Sequence, residues 1–408
     1  METGSILVSV RFRARGSMPL IHVENDRPSG LIQKLIARGV TDLRQTISVL
    51  YGLCPIAHLC AMDLASAQKE GQLERLPIER MRRSVTLEAV LENLRVFLTQ
   101  GYQLVGLTPP SEALRRLGRA RAQLQQLLRL LVKDPYAEST QEAAEQLIRN
   151  TSIEAKALLE DTLFGESLER FFAELSTLEA LQSWLHDGET PIKTLLNHLE
   201  ALPMGFAQVD TALMPKLTDQ GFRLADEIYQ RMRLEPNYDM MPILDDSPQL
   251  TGAIVKEYDH PLLNQVIENY GIGPFALTLA RLLHTAHMLE GLVGHSSEGL
   301  CDYYTRSFRE SQGAIAMIET ARGLLTHALG IQPDETGEAF VPFYLVTSPT
   351  EWQFTPEGAA LKAVQNAFRS TVKSDYCLTI KPAQAIALAL FGLDPCVPIR
   401  TTVDELTD

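Results

Sequence analysis

The chain of 408 residues is 45% hydrophobic and 22% charged, which excludes a disordered or fibrous protein and supplies enough apolar surface for a large core. Thirty-seven Lys and Arg stand against 51 Asp and Glu, and the resulting net charge of -14 speaks against nucleic acid and anionic membrane surfaces as partners. No run approaches the roughly 20 apolar residues that span a bilayer, and Met1-Glu2-Thr3-Gly4-Ser5 does not open a signal peptide, so a cytoplasmic protein without membrane insertion is expected.

In chain order, Ile6 to Phe12 and Pro19 to Val23 mix β-branched and apolar residues and predict two strands. Apolar positions recur every three or four residues over Leu31 to Arg38 and Asp42 to Tyr51, with Gly39 placed to end the first helix, and helices are expected to carry the chain to Gln100. Pro109-Pro110-Ser111 breaks the pattern and caps a long helix whose Leu114, Leu117, Leu124, Leu127, Leu128 and Leu131 share one face, up to Asp134-Pro135. Beside that stripe, Arg115, Arg116, Arg119 and Arg121 read as a solvated face, the alternative being a dock for an acidic partner. Ser139 with Glu142 and Thr151 with Glu154 each fit a capping box, which predicts two further helices.

Prolines 203, 215, 236, 242 and 248 predict a loop-rich stretch with short helices. Residues 261–293 and 308–328 read as helical, and Phe340 to Val346 as an edge strand carrying Pro342. The sum is an α+β class, predominantly helical, in three parts: 1–110 with strands and helices, 111–250 with a helical insert and loops, and 251–408, helical to mixed.

Phosphate-binding glycine loops, HExxH and complete CxxC pairs are absent. Five cysteines, Cys54, Cys60, Cys301, Cys377 and Cys396, do not describe a disulfide framework. In Gly52-Leu53-Cys54-Pro55-Ile56-Ala57-His58 a thiol and an imidazole four apart share a helix face. Such a spacing serves a metal or an activated nucleophile, and a helix start favours the thiolate, although a pair like this is more often a buried thiol and a hydrogen-bonded core histidine. A rigid turn, Asp394-Pro395-Cys396-Val397-Pro398, holds a second thiol near the other end. His284, His287 and His295 imitate a metal cluster but lack a completing Cys or carboxylate pattern and read as solvent-facing or capped. Cys60, Cys301 and Cys377 carry no motif and read as buried or incidental.

Taken together these segments resemble the large subunit of nickel-iron hydrogenases. Cys54 and its neighbours resemble the first metal motif, Arg-x-Cys-Gly-x-Cys-x-x-x-His, and Asp394-Pro395-Cys396 resembles the second, Asp-Pro-Cys-x-x-Cys-x-x-His. Between them, Gly273-Pro274 with Leu279-Ala280-Arg281, then Glu319-Thr320-Ala321-Arg322-Gly323 with His327, then Pro349-Thr350-Glu351-Trp352-Gln353, resemble further family segments in the same order. The likeness covers roughly residues 1–100 and 265–408, and implies a hydrogenase-large-subunit-like fold with a short N-terminal sheet and a helical bundle.

The departures are as telling. Tyr51 and Ile399 stand where two of the four metal cysteines would be, Thr402 stands at the second motif's terminal His, and Thr3 falls where the family passes protons. Nickel wants soft thiolates for most of its sphere, so neither nickel nor hydrogen oxidation is expected. An iron carrying cyanide and carbon monoxide brings part of its own coordination, and two sulfurs suffice in number for the rest. By resemblance, Cys54 and Cys396 would bind the metal, Arg322 and Thr350 would donate to the cyanides, Pro349 would line the carbonyl side, and His58 would orient a ligand or donate to sulfur. A plainer role for Arg322 is an ion pair with Asp394 or another carboxylate.

A hydrogenase-like chain with half its metal cysteines resembles the assembly proteins of the HupK/HoxV type. This implies no enzyme but a maturation scaffold or chaperone that binds an Fe(CN)2(CO) unit transiently, its partners being the hydrogenase maturation proteins and the apo large subunit. Two alternatives stand beside it. One is a metal-free structural subunit of a hydrogenase-related respiratory complex, its cavity reused for another ligand; the other is a thiol enzyme using Cys54 with His58.

Overall fold

The computed structural model describes residues 4–12, 18–36, 42–133, 137–294, 297–333, 339–372 and 380–404. Thr3, Gly39, Asp134-Pro135, His295 and Cys377 lie outside them.

The first and last strands of the described residues share one small sheet. Strand β1 (Ile6–Arg11) pairs antiparallel with β2 (Leu20–Asn25), and its other edge takes the last described strand, Ile399–Asp404, in parallel, Ile6 opposite Ile399 and Arg11 opposite Asp404. Ile6, Val8 and Val10 alternate into the core, as a half-buried strand requires. Helices α1 (Leu31–Ile36) and α2 (Leu43–Leu50) follow, α2 capped by the Asp42 carboxylate on the Gln45 N–H. Next come α3 (Pro55–Glu70), buried nearly all round, and α4 (Ile78–Val96).

Two long helices, α5 (Ser111–Lys133) and α6 (Glu138–Leu158), pack on each other and on α4. The leucine stripe of α5 is buried except Leu114, and Arg115 and Arg119 pair in solvent with Glu112, while Arg121 instead reaches Glu92 on α4. The second expected helix start, at Thr151, is the interior of α6: its hydroxyl bonds the Leu147 carbonyl and Gln123, so no free helix terminus exists there to cap. The proline-rich stretch likewise holds a full helix, α7 (Leu217–Leu234), bent where Gln220 leaves helical geometry. Helix α8 (Pro274–Gly294) runs against α4 and α6.

Residues 308–328 are not helical. They belong to an antiparallel sheet of β3 (Tyr303–Phe308), β4 (Gly313–Thr320), β5 (Gly323–Gly330) and β6 (Tyr344–Thr347), in spatial order β6-β5-β4-β3. Every residue of β4 and β5 is buried on both faces, so no alternation marks them, and an apolar run of this kind looks the same as a buried helix. Helix α3 covers β3, β4 and β5 on one side. Helices α9 (Pro349–Gln353), α10 (Ala359–Val372) and α11 (Pro382–Phe391) complete the chain before β7 (Ile399–Asp404) closes the first sheet. Among the described residues the buried side chains form one continuous core, and no helix is long and apolar enough to cross a membrane.

Candidate functional site

Seven separate pieces of chain meet around one cavity of about 670 Å3, one of them Asp239 and Met240. The segment after β2 gives Arg27, the entry to α3 gives Tyr51 to Cys54 with His58, and one face of α4 gives Glu88 and Glu92. The β4–β5 turn gives Thr320 to Arg322, β6 with the start of α9 gives Tyr344 to Glu351, and the approach to β7 gives Cys396 to Pro398. Parallel pairing of β7 with β1 returns Cys396 to the N-terminal half, and Cys54 and Cys396 line the same cavity. Arg322, Thr350, Pro349 and His58 line it too, so all six residues singled out from the sequence converge.

Cys54 is the N-cap of α3, followed by Pro55 at the first helical position, where a missing N–H costs nothing. The helix end does not make it a thiolate. Glu88, one α4 turn from Glu92, accepts the N–H groups of Ile56 and Ala57 at 2.8 and 2.9 Å and so occupies the positive terminus itself. Burial, then the neighbouring Glu88 and Cys396, hold the Cys54 thiol well above its ordinary value. Glu88 in turn is pushed up to about 8 by burial, against the pull of those two N–H groups. Cys396 is positioned by Thr350, whose hydroxyl accepts the Cys396 N–H at 3.1 Å and donates to its sulfur at 3.2 Å. Thr350 thus already spends its proton on the sulfur.

Arg322 occupies the two-residue turn between β4 and β5, where Thr320 pairs with Gly323. Gly323 has φ of 128°, and a Cβ there would meet the Thr251 side chain at 2.6 Å. The guanidinium lines the cavity and bridges carboxylates, the plainer of the two roles weighed for it. Nε donates to the Asp394 carbonyl at 2.8 Å and lies 3.1 Å from its carboxylate, while Nη2 donates to Glu92 at 2.6 Å. Glu92 also meets Arg95 at 2.7 Å and Arg121 at 3.1 Å, and Arg281 lies 3.6 Å from Asp394. Burial alone would raise the Glu92 carboxyl, but Arg95 and Arg322 bring it down to about 2. This network sets four guanidiniums against two carboxylates; Arg322 and Glu92 line the cavity, and Arg95, Arg121 and Arg281 stand behind them. Asp394 itself has a left-handed backbone, φ of 39°, uncommon outside glycine and tolerated by Asp.

His58 makes no hydrogen bond to either sulfur among the described residues. Its Nδ1 is 2.8 Å from His327 Nε2, the His327 Nδ1 is 2.8 Å from the Tyr344 hydroxyl, and Tyr51 stacks flat on it at 3.4 Å. Burial lowers His58 well below the usual imidazole range and takes His327 to about 3, so both rings are neutral. Sequence reading did not single out Tyr344, which it placed in the edge strand, nor Arg27, Glu88 and Glu92, and it named His327 only within a family-like segment in a stretch read as helical. Glu88 and Glu92 had a signal, carboxylates four apart on one α4 face.

The remaining motifs lie elsewhere. His284 is buried rather than solvent-facing, and it and His287 share the carboxylate of Glu257, at 3.0 Å each. Cys60 and Cys301 are buried, as expected. Among the described residues no three of His, Cys, Asp and Glu converge to hold a metal ion. No protein-family model and no curated protein matches the chain.

Proposed function

We propose that this cavity carries an iron dicyano-carbonyl unit on Cys54 and Cys396, as a scaffold in the maturation of a nickel-iron hydrogenase large subunit. The observation that carries the reading is the meeting of two sulfurs, Cys54 and Cys396, on one cavity that the Arg27 and Arg322 guanidiniums also line. Ferrous iron with two cyanides and two thiolates is a dianion, and a buried dianion needs a compensating charge. Two sulfurs also leave most of the coordination sphere to ligands that the metal brings, which suits pre-ligated iron and not a bare ion.

Loading deprotonates both thiols. An empty site whose Cys54 thiol resists ionisation holds the cargo less tightly than a preformed thiolate pair, and a carrier must release what it binds. Thr350 steadies the Cys396 sulfur, Arg322 offers its remaining Nη1 to the cavity, and Pro349 adds an apolar wall. Binding and transfer, not turnover, follow. The thiol-enzyme alternative lacks its central contact, since the described residues hold no Cys54–His58 hydrogen bond and the His58 Nδ1 is taken by His327.

Infrared spectroscopy of protein purified without oxygen from a hydrogenase-producing host tests the proposal. Cyanide and carbonyl stretching bands are expected in the native chain and absent from Cys54→Ala and Cys396→Ala. A folded native sample without such bands, or bands that survive both substitutions, would overturn it.

A further inference from the structure

The cavity is several times larger than the cargo proposed for it. One iron with three diatomic ligands fills the room of about five waters at roughly 30 Å3 each, against about 670 Å3 available, a volume typical of sites for organic molecules. Much of the remaining lining is apolar: Leu31, Ile32, Leu50, Met240, Val346 and Val397.

The charged groups on that lining are not equally engaged. Glu88 spends both oxygens on α3, Glu92 is held by three guanidiniums, Asp239 accepts backbone N–H groups at Gly30 and its own residue, and Arg322 keeps only Nη1 unpaired among the described residues. Glu351 accepts the Ser348 N–H and hydroxyl with one oxygen and Arg27 with the other. Arg27 uses only Nη1, toward Glu351 and the Ser348 hydroxyl; its Nε and Nη2 have no hydrogen-bond partner among the described residues. A guanidinium with two adjacent free donors matches the two oxygens of a carboxylate or sulfonate. Free donors facing an apolar chamber call for an anionic group on an apolar body.

We propose that the cavity is a binding site for a small amphiphilic organic anion, its carboxylate or sulfonate held by Arg27 and its aliphatic or aromatic body lying against Leu31, Ile32, Leu50 and Val346. The anion needs no iron in order to bind.

The full chain, produced in a host without hydrogenases, is titrated with 8-anilinonaphthalene-1-sulfonate, followed by fluorescence. One saturable site per chain is expected, emptied by octanoate and at least about tenfold less effectively by octanol or octylamine, because charged hydrogen bonds set the difference. Arg27→Gln weakens the probe about tenfold and Arg27→Lys less. Since Arg27 also neutralises Glu351, the Arg27→Gln, Glu351→Gln double variant, checked for native circular dichroism, gives the same reading without a stranded carboxylate. Cys54→Ala and Cys396→Ala, which remove the infrared bands if iron is carried, leave probe affinity within about twofold, so the two proposals fail separately. Non-saturable binding, equal displacement by octanol, or unchanged affinity in the folded double variant would each sink this one.

Discussion

His58 and His327 sit back to back in the core, each less than 2% exposed, with their shared hydrogen bond satisfied by neutral rings. A histidine that ionises near 6.5 in the unfolded chain and far lower when folded makes the folded state poorer in protons as pH falls. Stability from such a group is fully present above about 6.5 and is lost progressively toward the folded value, about 3 for His327. Urea unfolding between pH 6.5 and 3 should therefore show a slope reduced in His327→Gln by up to about 1.4 kcal/mol per pH unit relative to the native chain. An identical slope in both would mean that His327 is not held neutral. Of the two rings only His58 was singled out as a site residue. His58 stood out by its spacing from Cys54, whereas His327 lay in an apolar run whose period could not distinguish strand from helix.

At the scale of elements, the entry to α3 illustrates how a site is set by contacts that are local in space but distant in sequence. Glu88 on α4 does the work that a Ser or Asp N-cap would ordinarily do, leaving Cys54 in the cap position with its sulfur turned to the cavity. Glu88→Ala strands two buried N–H groups and should cost about 1–3 kcal/mol in urea unfolding, while Glu88→Gln, close in shape to the protonated acid, should cost less; equal losses would refute the cap. Amphipathic elements such as α2 and α5, and the alternating β1, were legible in the sequence because one face is wet. The hairpin β4–β5 was not, since both its faces are dry. Thr151 misled for a related reason: a capping pattern describes what a hydroxyl can satisfy, and a helix interior offers it a carbonyl instead.

For the whole molecule, the decisive fact is the convergence of Cys54 and Cys396, which no propensity or spacing rule encodes. Resemblance to a family suggested it, and the pairing of β7 with β1 supplies its physical means. A trivalent arsenical such as phenylarsine oxide, which bridges neighbouring thiols, should bind the native protein once per chain and lose that site in either Cys54→Ala or Cys396→Ala. Retention of the site in both variants would place the reactive pair elsewhere, Cys60 and Cys301 being the buried neighbours to check next. The clasp between the first and last strands also fixes a time of assembly. During synthesis Cys54 emerges early and meets Cys396 only when β7 has left the ribosome and aligned beside β1. The cavity that both thiols line therefore takes shape only once β7 has paired with β1.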